Sequence, residues 1–243
     1  MNASFHKQYL AVALAAAISW ICGCSNGGPE DDIGGGGGGL CPATNLGLQV
    51  CDPGKTTFSL QIDNGFFPLV VNTKSVLETP DGVSRVEIAV LNETEAVGGV
   101  TTRVVQETHS ESGVIVEISR NFFAQAADGT VCYFGEAVDN IENGQVINHN
   151  GSWRADASGN APGIIMPAKP SLGDIYSQEQ APGVAEDQAT IQSLGDSIQV
   201  PAGSFTDTVT TEDCNRLDGT MDRKVYARGV GLVFDSDAEL ISF

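Results

Sequence analysis

The sequence predicts an all-β protein: an antiparallel meander that forms a strongly curved sheet or barrel of about ten to twelve strands, with one long Pro/Gly-rich loop. Asp-Gly, Asn-Gly and Ser-Gly pairs separate runs of β-branched residues, which is the strongest short-range signal of a β-hairpin. Apolar residues alternate within these runs, as they do in half-buried strands. After the N-terminal segment, sustained helical periodicity is almost absent. A closed or strongly curved sheet would also remove exposed edges.

The hairpin signals divide the first half of the domain into consecutive strands. We expect strands on both sides of the turns at residues 80–82, 96–99, 110–113, 127–129 and 140–144. Alternation then places residues two apart on one face of a strand. Two such sets are Val86, Ile88 and Val90, and Val114, Val116 and Ile118.

Strands resume in the second half of the domain. The predicted segments are 175–180, 197–205, 206–214, 223–229 and 231–236. The segment Val184–Leu194 is interpreted as a strand because of its neighbours, with a short helix as the alternative.

The long loop is predicted at Ala157–Asp174. Its three prolines and three glycines indicate a segment without regular structure. The apolar residues Ile164, Ile165 and Met166, together with Trp153, are candidate ligand-binding residues that could line the mouth of the curved sheet. The alternative is that these four side chains plug the end of the sheet and complete the core.

The N-terminus has the pattern of an export signal at residues 1–23. Lys7 precedes an apolar run at Leu10–Ile21, which is shorter than the roughly 20 residues of a membrane-spanning helix. The following "ICGC" resembles the bacterial lipobox. This resemblance implies cleavage before Cys24, loss of Cys22 with the signal, acylation of Cys24 and sorting to the outer membrane.

Residues 24–40 are predicted to be the lipidated cysteine and a flexible glycine-rich linker. It contains six consecutive glycines, and a chain of this length has a reach of roughly 20–25 Å. Residues 41–243 are long enough to form one β-rich domain with its own core.

The charge of the chain is strongly acidic. There are 12 Lys and Arg against 31 Asp and Glu, and removal of residues 1–23 leaves a net charge of −20. Such a field repels phosphate backbones, so nucleic acid is excluded as a partner. The expected partners are the membrane, through the anchor, and a small molecule, glycan or envelope protein, and we expect a monomer.

Four cysteines remain in the predicted mature domain: Cys41, Cys51, Cys132 and Cys214. An even number in an oxidising compartment predicts two disulfides, for which three connectivities exist. We favour a local Cys41–Cys51 bond and a long-range Cys132–Cys214 bond. The spacing does not fit a clustered metal site.

Motifs of catalysis are sparse. His109 and His149 lie at predicted turn edges and are interpreted as solvated residues, and the sequence contains neither GxSxG nor HExxH. We expect no catalytic residue and no cofactor. Calcium is the most credible ion, at the acidic segments Thr211–Asp222 and Asp235–Glu239, but neither fits the spaced calcium-loop motif, and solvated charge is the favoured interpretation.

Several motifs resemble a family of exported bacterial proteins. The resemblance spans roughly residues 65–235 and is carried by "FFPL", "YFGE", "GSW", "PGIIMPAKPSLGDIYSQE", "VPAGSF" and "KVYARGVGLV". It implies a β-rich fold and an anchored or secreted location, and it implies no activity. The sequence therefore predicts a non-enzymatic binding or surface module tethered to the outer membrane, facing the periplasm or the surface. An enzyme of unrecognised mechanism and an envelope-assembly or structural partner are the alternatives.

Overall fold

The computed structural model describes residues 41–157 and 159–243, which form an almost entirely antiparallel β structure. The signal, lipobox and linker predicted for residues 1–40 lie outside the described residues. The bounds of the elements, in chain order, are a 3-10 helix at Leu48–Cys51 and strands β1 (Phe58–Ser59), β2 (Ile62–Asn64), β3 (Phe67–Leu69), β4 (Lys74–Glu78), β5 (Ser84–Val97), β6 (Val100–Glu111), β7 (Val114–Ala126), β8 (Val131–Glu142), β9 (Gln145–Asn148), β10 (Trp153–Arg154), β11 (Ala161–Met166), β12 (Ile175–Ser177), β13 (Glu179–Gln180), β14 (Asp187–Val200), β15 (Gly203–Asn215), β16 (Met221–Ala227), β17 (Gly231–Asp235) and β18 (Ala238–Ser242).

The main sheet is a meander that almost closes on itself. Strands β4 to β8 pair consecutively, as do β14 to β18, and β18 pairs with β4 to join the two halves. On the other side, β8 pairs with β11. The predicted all-β, barrel-like architecture is confirmed, and the hydrogen-bonded path contains thirteen strands.

The remaining gap is closed by one short segment, Ile175–Gln180. Its first half, β12, pairs with β14, and its second half, β13, pairs with β11. Between them the N–H of Gln178 donates to the carbonyl oxygen of Asp187 at 2.8 Å. We call this segment the seam.

A glycine makes the seam approach possible. Gly163 in β11 lies so close to the seam that a Cβ atom at this position would overlap the carbonyl oxygen of Gln178. Since the obstructing group is backbone, a side chain at Gly163 would force the two strands apart.

The predicted loop at Ala157–Asp174 is wrong in part, because residues 161–166 form β11. The edge of β8 supplies backbone partners for this apolar segment, and Pro162, which lacks an N–H, is opposite Glu179 of the seam. The segment Val184–Leu194 is confirmed as largely strand, since β14 starts at Asp187. The strand predicted over 197–205 is instead a hairpin, with a turn between Val200 and Gly203.

The strand faces follow the predicted alternation, but the apolar face of β7 points outward. Val86, Ile88 and Val90 are buried on the inward face of β5. The apolar set of β7 shares one face as predicted, but this face is the outward one: Val114 is 57% exposed, whereas the intervening Glu117 is buried.

Residues 41–51 form a strap across the outside of the seam. The backbone N–H groups of Asn45 and Leu46 donate to the carbonyl oxygen of Ile175 at 2.9 and 3.0 Å. One end of the strap is bonded to β15 by the Cys41–Cys214 disulfide, and the other end to β8 by Cys51–Cys132.

The four cysteines therefore form two disulfides, but the favoured pairing of Cys41 with Cys51 and of Cys132 with Cys214 is wrong. The physical reason is that the strap is extended across the seam, so its two cysteines reach different strands. Its terminal 3-10 helix is packed against β11 and delivers Cys51 to the core.

The β2–β3 hairpin covers one end of the barrel, which we call the plugged end. The carbonyl oxygen of Gly65 accepts from the N–H of Gly229 at 2.7 Å, and the side chain of Asn64 donates to Gly129 at 3.0 Å, so the hairpin is bonded to turns on two sides. Phe67 packs edge-on against Phe123, with ring centroids 5.3 Å apart. Among the described residues, no helix is long and apolar enough to cross a membrane.

The disulfide pairing gives a direct test of the strap. Proteolysis of the unreduced protein followed by mass spectrometry should yield peptides that join Cys41 to Cys214 and Cys51 to Cys132. Reduction should then destabilise the barrel markedly, because both bonds close long loops, and native disulfides typically contribute about 2–5 kcal/mol each. Recovery of a Cys41–Cys51 peptide would contradict the strap.

Candidate functional site

The residues predicted to bind a ligand lie in the hydrophobic core. Trp153, Ile164, Ile165 and Met166 are 4%, 2%, 0% and 0% exposed. The Trp153 ring makes an edge-to-face contact with Tyr133, with centroids 5.2 Å apart. None of the four lines the two cavities described below. These four side chains therefore complete the core, which was the alternative to a ligand-binding role.

His109 is buried, so its interpretation as a solvated turn residue is wrong. β6 continues to Glu111 and carries His109 on its inward face. Nε2 of His109 lies 2.9 Å from both Ser84 Oγ and Glu111 Oε1. A serine–histidine–acid relay needs the serine and the acid on different ring nitrogens, so this arrangement is not one. Burial lowers the pKa of His109, with Glu111 acting in the opposite direction.

His149 is exposed at the end of β9, as expected for a residue at a turn. Its Nδ1 lies 2.8 Å from a carboxylate oxygen of Asp139 and 2.9 Å from the carbonyl oxygen of Val138.

The two acidic segments considered for calcium do not converge. Asp213 is buried beside Lys224, whereas Asp218 accepts hydrogen bonds from Thr220 within its own turn. Asp222 accepts from Ser236. In the part of the chain that the structure describes, no three His, Cys, Asp or Glu side chains are grouped so that they could hold a metal ion.

Buried acidic and amide side chains occupy the inward faces of β6, β7 and β8. Glu107, Glu117 and Glu136 are 4%, 9% and 2% exposed. Tyr133 donates its hydroxyl hydrogen to Asn121 Oδ1 at 2.5 Å, and Asn121 Nδ2 donates to Glu107 Oε1 at 3.3 Å. A polar network therefore occupies part of the barrel interior.

More buried carboxylates face this network from the seam and from strands β14 to β17. Nζ of Lys224 donates to Asp213 Oδ2 at 3.0 Å, and Gln178 Nε2 donates to the same oxygen at 3.2 Å. The others are Glu179, Asp187 and Asp235. We call the seven acidic residues and their single lysine the interior acid cluster: Glu107, Glu117, Glu136, Glu179, Asp187, Asp213, Asp235 and Lys224.

Burial changes the acidity of this cluster. It raises the pKa of Glu117 to about 7 and, against the opposing charge of Lys224, raises those of Asp187 to about 6 and Asp235 to about 7. Burial also raises the pKa values of Glu136 and Glu179 well above their usual range, and the charge of a neighbouring acid adds to each shift.

The lysine shows the opposite balance. Burial alone would lower the pKa of Lys224, but the charges of Asp213 and Asp235 outweigh burial and hold it well above its ordinary value. Lys224 therefore remains charged, while several of the acids retain protons at neutral pH.

The cluster is only partly hydrogen-bonded. Among the described residues, Glu136 Oε1, Asp187 Oδ1, Asp213 Oδ1 and Asp235 Oδ2 have no hydrogen-bond partner. Buried groups in this state cost free energy, so the cluster reduces the stability of the barrel.

A separate, mostly apolar cleft lies at the plugged end, on both sides of the chain that follows Phe67. One cavity has a volume of about 160 Å³ and lies between this chain and strands β4, β5 and β17. A second, of about 470 Å³, lies on the β2 side of the same chain. Both are lined by Pro68, Leu69 and Val70, so they adjoin along this segment, and we call the two cavities together the cleft.

The walls of the cleft come from distant parts of the sequence. The first cavity is lined by residues that include Ile88, Val90, Val105, Leu232 and Phe243. The second is lined by Leu60, Gln61, Ile62, Asp63, Val71 and Arg103 in addition to the shared residues. An apolar cavity of about 150 Å³ is large enough to hold a benzene-sized group.

Sequence reasoning missed both the cluster and the cleft. The signal for the cluster was the polar alternation of Glu117, Ser119 and Asn121 in β7, which marks an inward polar face once the strand order is known. The cleft has no local signal, because its walls meet only after the barrel closes.

The interior acid cluster predicts an unusual pH dependence. In the unfolded chain these carboxyl groups lose their protons at about pH 4. In the folded chain Glu117, Asp187 and Asp235 keep their protons up to about pH 6–7. Between these pH values the folded chain binds more protons than the unfolded chain. The free energy of unfolding therefore falls as the pH rises. The melting temperature should therefore be higher at pH 5 than at pH 8.

The variant Glu117→Gln should raise stability at pH 8, by an amount on the order of 3 kcal/mol, and change it little at pH 5. Glu142→Gln, at an exposed position of β8, is the matched control and should leave the pH profile unchanged. A melting temperature that rises from pH 5 to pH 8 would contradict the account.

No protein-family model matches the chain, and no curated protein or solved structure matches it.

Proposed function

We propose that this chain is a non-enzymatic binding module of the cell envelope, tethered to the outer membrane by a lipid on Cys24. Its site is the cleft at the plugged end, and its ligand is a small molecule with an apolar part. The observation that carries this proposal is the pair of adjoining cavities, of about 160 and 470 Å³, beside Pro68–Val70. Concave, largely apolar sites of this size range are typical of small-molecule binding.

The cleft is held in shape by the fold around it. The hairpin that separates the two cavities is fixed to the barrel at Asn64 and Gly65, and Phe67 is anchored in the core. A preformed cavity loses less conformational entropy on binding than one that must be assembled.

The rim of the cleft also supports access for a ligand. Val70 and Phe243 are 60% and 65% exposed, which is unusual for large apolar side chains that adjoin a cavity. A ligand seated there would cover both side chains.

The arrangement of acids favours a binding module over the enzyme alternative. The carboxyl groups of the interior acid cluster lie inside the barrel, where all are buried except Asp187, which is partly exposed. A hydrolytic pair of carboxylates would need to face a substrate in an open cleft, and the cleft at the plugged end is lined by one carboxylate, that of Asp63.

A cavity-filling variant tests the site. We expect 1-decanol to bind the mature protein saturably, at one molecule per chain, and to shift the methyl NMR signals of Val90, Val105 and Leu232. Ser75 lines the smaller cavity, so Ser75→Trp should weaken binding at least about tenfold by occupying the space of the ligand.

Leu172→Ser is the control, since Leu172 is 71% exposed and does not line the cleft. It should bind 1-decanol like the wild type. Absence of saturable binding in the wild type, or equal binding by Ser75→Trp, would refute the proposed site.

The anchor has its own test. Cys24→Ser should abolish acylation and leave an uncut or soluble precursor, whereas Cys22→Ser should be processed normally. Intact mass and membrane fractionation distinguish these outcomes. A Cys24→Ser chain that stayed processed and membrane-bound would contradict the anchor.

A further inference from the structure

Arg103 is a nearly buried cation at the cleft. It lies on the inward face of β6, opposite Phe123 of β7, and is 9% exposed. Its side chain lines the larger of the two cavities, whose other walls are mostly apolar. A guanidinium group in such surroundings has lost most of its hydration, which is costly unless the charge is matched.

The protein satisfies only part of this guanidinium group. Nη1 of Arg103 donates to the carbonyl oxygens of Leu91 and Glu93 at 3.3 and 3.2 Å, where the register of β5 shifts between Val90 and Thr94. Among the described residues, Nε of Arg103 has no hydrogen-bond partner. The two carbonyl oxygens therefore satisfy Nη1, whereas Nε remains without a hydrogen-bond partner.

No carboxylate neutralises Arg103 within the described part of the chain. The neighbouring Arg120, by contrast, is paired with Glu93. Asp63 lines the same cavity, but its carboxylate accepts hydrogen bonds from Gln125 at 2.7 Å and Gln61 at 3.2 Å rather than from Arg103. An unpaired, buried cation is notable in a chain with 31 acidic residues.

We propose that the ligand of the cleft is an amphipathic monoanion, whose carboxylate pairs with Arg103 while its apolar chain occupies the two cavities. This inference rests on the proposed function and deepens it by naming the ligand class. A planar guanidinium matches a carboxylate with two parallel hydrogen bonds, and such bonds are strong in a desolvated site.

The surrounding charge favours a single negative charge on the head group. The chain has a net charge of −20 after removal of residues 1–23, and Asp63 lies on the wall of the same cavity. Both disfavour a dianion such as a phosphate monoester. A single guanidinium group whose Nε lacks a partner fits one carboxylate.

Decanoate and 1-decanol, titrated against the mature protein at pH 7.5, separate the head group from the chain. We expect the wild type to bind decanoate at least tenfold more tightly than 1-decanol. Arg103→Met should weaken decanoate at least tenfold and change 1-decanol less than twofold. Arg120→Met removes the same charge outside the cleft and should leave both affinities within twofold.

A second variant separates charge from structural support. Arg103→Gln retains a hydrogen-bond donor for the carbonyl oxygens of Leu91 and Glu93 but carries no charge, and it should weaken decanoate as Arg103→Met does. Equal binding of decanoate and 1-decanol by the wild type would overturn this inference and leave the apolar site intact. Equal weakening of both probes by Arg103→Gln would also overturn it. Failure of both probes to bind the wild type would instead overturn the proposed function.

Discussion

Closure of the sheet through the seam, Ile175–Gln180, is the constraint on which the rest of the structure depends. Six residues supply partners to β14 with one half and to β11 with the other, so a curved sheet acquires an inside. The segment is too short to hold the two edges strongly by itself, and the strap at residues 41–51 crosses it with a disulfide at each end. Gly163 permits the close approach that this closure requires. The covalent bonds thus reinforce the barrel where its hydrogen bonding is least continuous.

The interior of the closed barrel has two regions of different polarity. Toward the plugged end, Phe67, Phe123 and Tyr226 pack together, and the cleft opens beside them. The rest of the interior holds the seven acidic side chains and Lys224 of the interior acid cluster, and several of the carboxyl oxygens lack hydrogen-bond partners. Burial of such groups opposes folding, and the large apolar core and the two disulfides offset it. Arg103 lies in the apolar part, at the cleft, and forms no ion pair with a carboxylate of the described residues.

Local signals in the sequence predicted most of the strands but not the contacts between distant strands. The turns at 80–82 and 127–129 were predicted because glycine and aspartate have a fixed role in tight turns. β11 was missed because the strand it pairs with, β8, lies about 30 residues earlier in the chain. The partner of Cys41 could not be predicted because it depends on where the strap crosses the seam. The inward direction of Glu117 and the position of Arg103 followed from register, which alternation alone does not define. The candidate ligand-binding residues around Ile165 were apolar for the ordinary reason that they complete the core.

The central claim is that an amphipathic carboxylate binds at the plugged end of this barrel. Native mass spectrometry of the protein purified from its own envelope tests this most directly, because it detects a ligand that the protein has selected for itself. The account predicts one bound molecule per chain, with an apolar chain and a single carboxylate, that is lost from the Arg103→Gln variant. A chain that carries no ligand, or one that carries a ligand without an anionic group, would contradict it.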